Sequence, residues 1–286
     1  MINVDFFGHK VSKLIIGDNP INGHSYIEHR ITGKDMKSWY TAERIKEALF
    51  KMEENGYNTM LPLADPYIIR ILQEYRHDGG KMQFIFQPFM PLDQDVSIRD
   101  MMTLDPIGIY HQGTTTDYLY ETGECEKIVA MMDKYKSMGI PVGLGTHRPE
   151  VIELCEKEGW GADFYLACLQ NARKGREGEQ SGFLTGKAKT ALTFYPEDRP
   201  VMLETLKKIN KPIIAFKLFA GGQMLVDKDE ETKKALIKGA YEEVFSALKP
   251  NDMAAIGVFQ RDSDQITQNA ELFHEWEKEK GMAYEI

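Results

Sequence analysis

Short apolar runs recur along the chain, and most of them end in polar residues. The runs do not alternate between apolar and polar positions, which is typical of parallel strands buried on both faces. Segments with helical spacing of apolar residues separate them. The predicted core strands lie in the segments LIIG, YNTMLPLAD, KMQFIFQPF, IGIYHQG, PVGLGTH, ADFYLACLQN, KPIIAFKLFAGG and DMAAIGVFQ.

Eight strand–helix units in a chain of 286 residues predict an α/β protein of the (β/α)8 TIM-barrel class. A doubly wound open sheet is the alternative, but it would need fewer units or a further domain. Residues 3–9 and 10–13, around Gly8, predict a β-hairpin ahead of the first core strand, Leu14–Gly17. Residues 18–39 are read as a polar loop.

The chain shows no linker and no low-complexity tract, so residues 1–286 are expected to form a single domain. The segment 172–193 is rich in Gly, Lys, Glu and Gln and is long for a connection between a strand and a helix. Long loops of this kind are often lids over a functional site. Its position after a core strand predicts a lid at the C-terminal ends of the strands.

Composition and charge indicate which partners and which cellular compartment to expect. The net charge is −9, and no Lys or Arg block is long enough to follow a phosphate backbone, so a nucleic-acid partner is not expected. Three cysteines without a CxxC spacing favour a reducing compartment. The start lacks an apolar signal region and no run approaches the length of a membrane span. We therefore expect a cytoplasmic protein that binds no membrane and acts on a small molecule; a homo-oligomer stays open.

Lys217 interrupts the apolar run IAFKLFAGG, and a charge in a buried strand needs a partner or a function. It is a candidate Schiff-base nucleophile, an electrostatic clamp on an enolate, carboxylate or phosphate, or the partner of a buried carboxylate such as Asp18. Strand alternation places Lys217 on the same face as Ala215 and Phe219. We take that small-residue face as the inward one, which would bring Lys217 to the ends of the strands.

The C-terminal ends of the strands of a (β/α)8 barrel meet at one face, here called the mouth. Asp65, His111 and His147 follow the second, fourth and fifth predicted strands, and His24 lies in the first loop. A carboxylate and two or three imidazoles could hold a divalent metal such as Zn, Mn or Fe. The alternative is a hydrogen-bonded mouth in which the histidines act as donors or as acid/base groups.

Polar residues at other strand ends are candidates for binding the hydroxyl groups of a substrate. They are Asp18, Asn19, Asn22, Gln87, Asn171, Gln260 and Arg261. For Asp18, Asn19 and Asn22 an Asx-turn network that only fixes the first loop is an equal alternative.

Several motifs resemble the aldo-keto reductases. VSKLIIGDNP resembles their first strand, IGIYHQG their fourth strand with its active-site histidine, here His111, and VGLGTHRPEVIELCEKEG followed by DFYLACLQN resembles a later passage, with His147 where Asn is usual. GVFQRDSDQITQN resembles their last strand and helix. The resemblance implies a TIM barrel with an Asp–Tyr–Lys–His catalytic set. Asp65 and His111 match that set, whereas Arg70 replaces the tyrosine, Gln87 replaces the lysine, and the phosphate-binding signature is reduced.

The incomplete set makes NADPH chemistry the less favoured function and indicates a divergent branch of the family. The mouth residues predict an enzyme that abstracts a proton next to a carbonyl group of a small polyhydroxy or keto-sugar-like substrate, as an isomerase, epimerase or lyase. His111 or His147 would be the base. Lys217, or a metal held by Asp65 and the histidines, would stabilise the enolate. The alternatives are an NADPH-dependent carbonyl reductase using Asp65, Lys217 and His111, and a barrel that binds a ligand without turnover.

Overall fold

The computed structural model describes residues 1–180, 185 and 192–282. Eight parallel strands close into a barrel, because the last strand pairs with both the seventh and the first. The predicted TIM barrel is therefore confirmed, and the open sheet is wrong. The barrel strands are β3 Leu14–Gly17, β4 Thr59–Leu61, β5 Gln83–Phe86, β6 Gly108–His111, β7 Val142–Thr146, β8 Phe164–Cys168, β9 Ile213–Phe216 and β10 Met253–Gly257.

Helices surround the barrel between successive strands. They are α1 Gly33–Trp39, α2 Ala42–Glu54, α3 Pro66–His77, α4 Gln94–Met102, α5 Gly113–Glu121, α6 Cys125–Lys136, α7 Pro149–Glu158, α8 Asp198–Leu206, α9 Glu230–Ala247 and α10 Gln265–Glu279, with a 3-10 turn at Ala220–Gly222. No helix in the ranges 1–180 and 192–282 is long and apolar enough to cross a membrane.

Two helices have no counterpart in the sequence prediction. Helix α1 lies in the stretch read as a loop, and begins at a capping box in which Thr32 and Asp35 cap each other's backbone N–H groups. Helix α5 begins immediately after β6, where the Gln112 side chain accepts a hydrogen bond from Thr115 N–H and caps the helix. Gln112 lies in the segment IGIYHQG, which predicts a strand, so the sequence pattern does not reveal its capping function.

The predicted N-terminal hairpin is confirmed, with β1 Asn3–Phe6 antiparallel to β2 His9–Ser12. It packs against the N-terminal ends of the barrel strands, where the Phe6 ring meets the Phe164 ring edge-on at 5.1 Å. Phe6 is completely buried in one apolar cluster with residues inside the barrel. The hairpin therefore closes the end of the barrel opposite the mouth.

Alternation along each strand decides which side chains enter the barrel. Ile15, Ile85, Leu166 and Ile214 belong to the inner cluster. Their immediate neighbours, Leu14, Ile16, Phe84, Phe86, Ala167 and Ala215, belong to the cluster between barrel and helices. Both faces are apolar, which explains the unbroken apolar runs. The same alternation decides which residues at the strand ends face the mouth.

Candidate functional site

A cavity of about 970 Å³ opens at the mouth and extends beside α9 and α10. Eight of the sequence-predicted site residues line it, together with Tyr26, Tyr110 and Gln112. The eight are Asp18, Asn19, Asn22, His24, Gln87, His147, Lys217 and Arg261.

The position of Lys217 at the mouth does not follow from the alternation of side chains along β9. Ile214 and Phe216 pack with the inner cluster and Ala215 with the outer one, so a continued strand would turn Lys217 outward. Strand β9 instead ends at Phe216, and Lys217 has a left-handed φ of 61°. The predicted inward face was therefore wrong, although Lys217 does line the cavity. A left-handed conformation at a non-glycine residue costs about 1–3 kcal/mol and is common at functional sites.

Lys217 ends a chain of three polar side chains. Its Nζ lies 3.0 Å from His147 Nε2, and His147 Nδ1 lies 2.7 Å from Asp117 Oδ2. The Asp117 carboxylate also accepts hydrogen bonds from His147 N–H and from the Thr146 hydroxyl. Because a carboxylate can only accept, Nδ1 of His147 carries a hydrogen and Nε2 accepts from Lys217. Asp117 thus fixes the tautomer that holds the lysine.

A thiol joins this group. The Cys168 side chain interacts electrostatically with both Lys217 and His147. Burial acts to raise the pKa of Cys168, but the Lys217 charge and His147 outweigh it, and the pKa is lowered. Burial acts to lower the pKa of Lys217, but Cys168 and Tyr26 outweigh it, and the pKa is raised. A lysine that keeps its proton is suited to electrostatic stabilisation rather than to imine formation.

The pKa of His147 is also raised. Burial and the Lys217 charge act to lower it, whereas Cys168 and the hydrogen bond to Asp117 act in the opposite direction and prevail. The hydrogen bond to Asp117 and the neighbouring Cys168 therefore make this imidazole easier to protonate than a free one.

Three aromatic rings surround the ammonium group of Lys217. The ring centroids of Tyr26, Phe194 and Phe216 lie 4.8, 5.3 and 5.4 Å from Nζ, within the range of cation–π attraction. Gln223 ties this enclosure together, since its amide nitrogen donates to Tyr26 O at 3.0 Å and its Oε1 accepts from Phe194 N–H at 3.1 Å. The first loop and the segment before α8 are thus held together over Lys217.

Two glycines bring α5 close enough to place Asp117. A Cβ on Gly145 would lie 2.8 Å from His111 O, and one on Gly113 would lie 3.3 Å from His147 Cε1. Helix α5 can therefore lie directly against β7, and Asp117, one turn into α5, reaches His147. Sequence reasoning missed Asp117 because α5 was not recognised; the cap at Gln112 was the available signal for the helix.

Asp18 lies at the mouth after β3. Its Oδ2 accepts from Asn22 Nδ2 and from Leu63 N–H, both at 2.5 Å. Burial raises the pKa of Asp18 to about 7, although these hydrogen bonds act to lower it. Across the neighbouring strands the Tyr110 hydroxyl donates to Gln87 Oε1 at 3.3 Å. The Asp18–Asn22 contact stabilises the first loop, and both residues also face the cavity.

His111 does not lie at the mouth, which corrects its expected position as base and metal ligand. In β6 it is Tyr110 that packs with the inner cluster, so the adjacent His111 points outward. Its Nδ1 lies 2.7 Å from Thr116 Oγ1 in α5. Burial lowers the pKa of His111 to about 4, so the imidazole is neutral at pH 7. This histidine connects β6 to α5 within the core.

Three further candidates cap backbone groups and do not line the cavity. Asp65 is the N-cap of α3 and accepts from Tyr67 N–H at 2.9 Å. Asn171 accepts from Arg173 N–H at 3.0 Å, and Gln260 accepts from Ile266 N–H at 3.0 Å. Polar residues at strand ends serve as caps as readily as they serve as ligands. These placements correct the expectation of Asp65 as a catalytic residue and metal ligand, and of Asn171 and Gln260 as substrate-binding residues.

The predicted metal ligands are not brought together. Among the residues that the structure describes, no group of three or more His, Cys, Asp or Glu side chains is arranged to hold a metal ion. Asp65 caps a helix and His111 faces outward, whereas His147 and His24 line the cavity. The donor set expected for Zn, Mn or Fe therefore does not assemble from these four residues.

The lid expectation falls partly outside the described residues, which omit 181–184 and 186–191. The described first part of the segment, residues 172–180, contacts the end of α5. Arg173, almost fully buried, pairs with Glu121 through two nitrogens, and Gly178 N–H donates to Glu121 at 2.7 Å. Glu121 also pairs with Arg148 at 3.0 Å.

Arg261, at the edge of the cavity, is paired with Asp262 and Asp35.

No family model and no curated protein matches the sequence. Solved structures do match its shape. A dihydropteroate synthase from Xanthomonas albilineans has a TM-score of 0.53 at 12% identity over 98% of each chain. An aldo-keto reductase from Bacillus halodurans has a TM-score of 0.55 at 11% identity over 99% of this chain and 96% of that one. A dihydropteroate synthase from Yersinia pestis has a TM-score of 0.52 at 8% identity over 98% and 100%. At such identities the likeness shows the fold, a TIM barrel, and nothing further.

Proposed function

We propose that this barrel is an enzyme that abstracts a proton next to a carbonyl group of a small polyhydroxy or keto-sugar-like substrate. The outcome would be isomerisation, epimerisation or elimination. The observation that carries the proposal is the Lys217 ammonium group, which His147 and Asp117 hold at the wall of a cavity of about 970 Å³. A fixed cation in such an enclosed site stabilises the negative charge that develops on the carbonyl oxygen.

His147 has a supporting part in this proposal. Its Nε2 is engaged with Lys217, so it acts through the lysine rather than on the substrate directly. When Lys217 donates a hydrogen bond to the enolate oxygen, His147 and Asp117 keep the ammonium group in place.

The rest of the cavity wall supports a hydroxyl-rich substrate. Asn19, Asn22, Gln87 and Tyr110 present amide and phenol groups to the cavity, each able to donate or accept a hydrogen bond. The proposal uses no metal ion, because the described donor residues do not form a ligand set.

The test is deuterium exchange at carbon. Wild-type protein in D2O is incubated with dihydroxyacetone, D-fructose and D-tagatose, and loss of the proton signal next to the carbonyl is followed by NMR. We expect exchange with at least one ketone, reduced roughly 10²–10³-fold in Lys217→Met because a cation that stabilises the enolate is removed. Lys208→Met, which changes an exposed lysine paired with Glu153, is the matched control. Absence of exchange by the wild type, or full activity of Lys217→Met, would contradict the proposal.

A carbonyl reductase is the second candidate, suggested by the short motifs that resemble the aldo-keto reductases, such as IGIYHQG. Asp65 and His111, which match the reductase catalytic set, do not line the cavity. Titration with NADPH followed by fluorescence distinguishes the two: binding below millimolar cofactor would favour the reductase. A barrel that binds one of the ketones without exchanging its protons would instead be a binding protein.

A further inference from the structure

We infer that Asp18 is the group that removes the carbon-bound proton, acting across the cavity from Lys217 and His147. The inference rests on the proposed function and adds to it a catalytic residue. Asp18 would otherwise be read as part of a turn network or as a binding residue.

The barrel topology places Asp18 and His147 on opposite walls. Around the closed barrel β3 is separated from β7 by three strands in either direction, β4 to β6 on one side and β8 to β10 on the other. Asp18 is the first residue after β3, and His147 is the first residue after β7. Both line the cavity. The two residues therefore line the cavity from opposite sides of the barrel.

The surroundings of Asp18 suit a proton acceptor. The contacts that act on its carboxyl group are hydrogen bonds from Leu63 N–H and Asn22, together with the charge of Asp65. Tyr110, on β6, is a further titratable group on which the Asp18 charge acts. None of these groups is a cation. Burial raises the pKa of Asp18 to about 7, where a carboxylate is basic enough to accept a proton from carbon and acidic enough to return it.

The step balances without a further reactant. The C–H bond next to the carbonyl breaks and its proton forms an O–H bond with the Asp18 carboxylate. The electron pair of the C–H bond becomes the enolate double bond, and the carbonyl π pair moves to oxygen, where the Lys217 ammonium group donates a hydrogen bond. When Asp18 returns the proton to carbon, the carbonyl group and the ionised Asp18 carboxylate are restored. Opposite walls fit this chemistry, because the carbonyl oxygen and the departing proton lie on different sides of the reacting unit.

The test compares Asp18→Asn with Lys217→Met and the wild type in the same deuterium-exchange assay. Asparagine keeps an oxygen for Leu63 N–H but cannot accept the proton. We expect exchange to fall about 10²–10⁴-fold while the reactive ketone still binds, as read from chemical-shift changes, and the circular dichroism stays native. The wild-type rate should rise with pH to a plateau with a midpoint near the Asp18 pKa of about 7.

A second variant separates catalysis from positioning. The hydrogen bond from Asn22 acts to lower the pKa of Asp18, so Asn22→Ala should move the midpoint of the pH profile upward. A purely structural Asp18 would leave that midpoint unchanged. If Asp18→Asn exchanges at the wild-type rate while Lys217→Met does not, the inference about Asp18 fails and the proposed function stands. If Lys217→Met also retains exchange, the proposed function fails.

Discussion

Two histidines that look equivalent in sequence have different roles at the scale of single residues. His111 and His147 each follow an apolar strand, yet only His147 faces the cavity, because alternation in β6 turns Tyr110 inward and His111 outward. The partners differ in the same way. His147 contacts a carboxylate and a lysine, whereas His111 contacts one hydroxyl group.

This difference predicts opposite effects of substitution. Asp117→Asn leaves the His147 tautomer undefined and should lower the exchange rate by about 10²-fold or more. His111→Gln removes a buried hydrogen bond to Thr116 and should lower the unfolding free energy by about 1–3 kcal/mol without changing the rate per folded molecule. Exchange assays and urea unfolding on both variants check this. A loss of activity in His111→Gln at full folding would show that His111 does act at the site.

Part of this site can be predicted from the sequence and part cannot. The eight strands and the mouth follow from the spacing of apolar runs, which predicted the placement of His147, Asp18, Asn19 and Asn22. The sequence does not show which side chains of a strand point into the barrel, because both faces of each strand are apolar. Lys217 reaches the mouth through a left-handed backbone conformation that lysine does not favour, and no sequence pattern signals it. Asp117 depends on a helix whose only marker is the Gln112 cap.

At the scale of elements the site depends on the close approach of α5 to β7. Gly145 leaves no room for a side chain, since a Cβ there would lie 2.8 Å from the backbone oxygen of His111. A backbone atom cannot move aside as the end of a flexible side chain can. The spacing between β6, β7 and α5 therefore determines whether Asp117 reaches His147.

We expect Gly145→Ala to lower the unfolding free energy by about 1–3 kcal/mol and to reduce exchange activity, because the added methyl group separates β6 from β7. Gly239 provides the matched control. It lies within α9 and a Cβ there meets nothing within 4 Å, so Gly239→Ala should raise the unfolding free energy by roughly 0.5–1 kcal/mol and leave activity unchanged. Equal stability of the two variants would show that the contact at Gly145 relaxes easily.

At the scale of the whole molecule, the ionised form of Asp18 at the site lowers the free energy of unfolding. The pKa of Asp18 is raised to about 7 in the folded protein, above the ordinary value near 4. Between these values the folded state binds more protons than the unfolded state, so stability is present at low pH and is lost as pH rises through about 7. The charge that the proposed reaction needs is therefore one that the fold disfavours.

Asp18→Asn should abolish this pH dependence. At pH 8 the unfolding free energy of the variant should exceed that of the wild type by about 1–3 kcal/mol, and the difference should shrink towards pH 5, where Asp18 is protonated in the folded protein. Urea unfolding at the two pH values measures it. A difference of the same size at both would mean that the ionisation of Asp18 does not affect folding.

The pairing of β10 with β3 has a consequence for how the chain is made. Leu14, Ile15 and Ile16 are fully buried, and one backbone edge of their strand finds its partner only when β10, the last barrel strand, leaves the ribosome. Until then the growing chain carries an open apolar edge of the kind that recruits other chains. A product that ends before β10 has two such edges, those of β3 and β9, so incomplete translation yields an aggregating species rather than a smaller barrel.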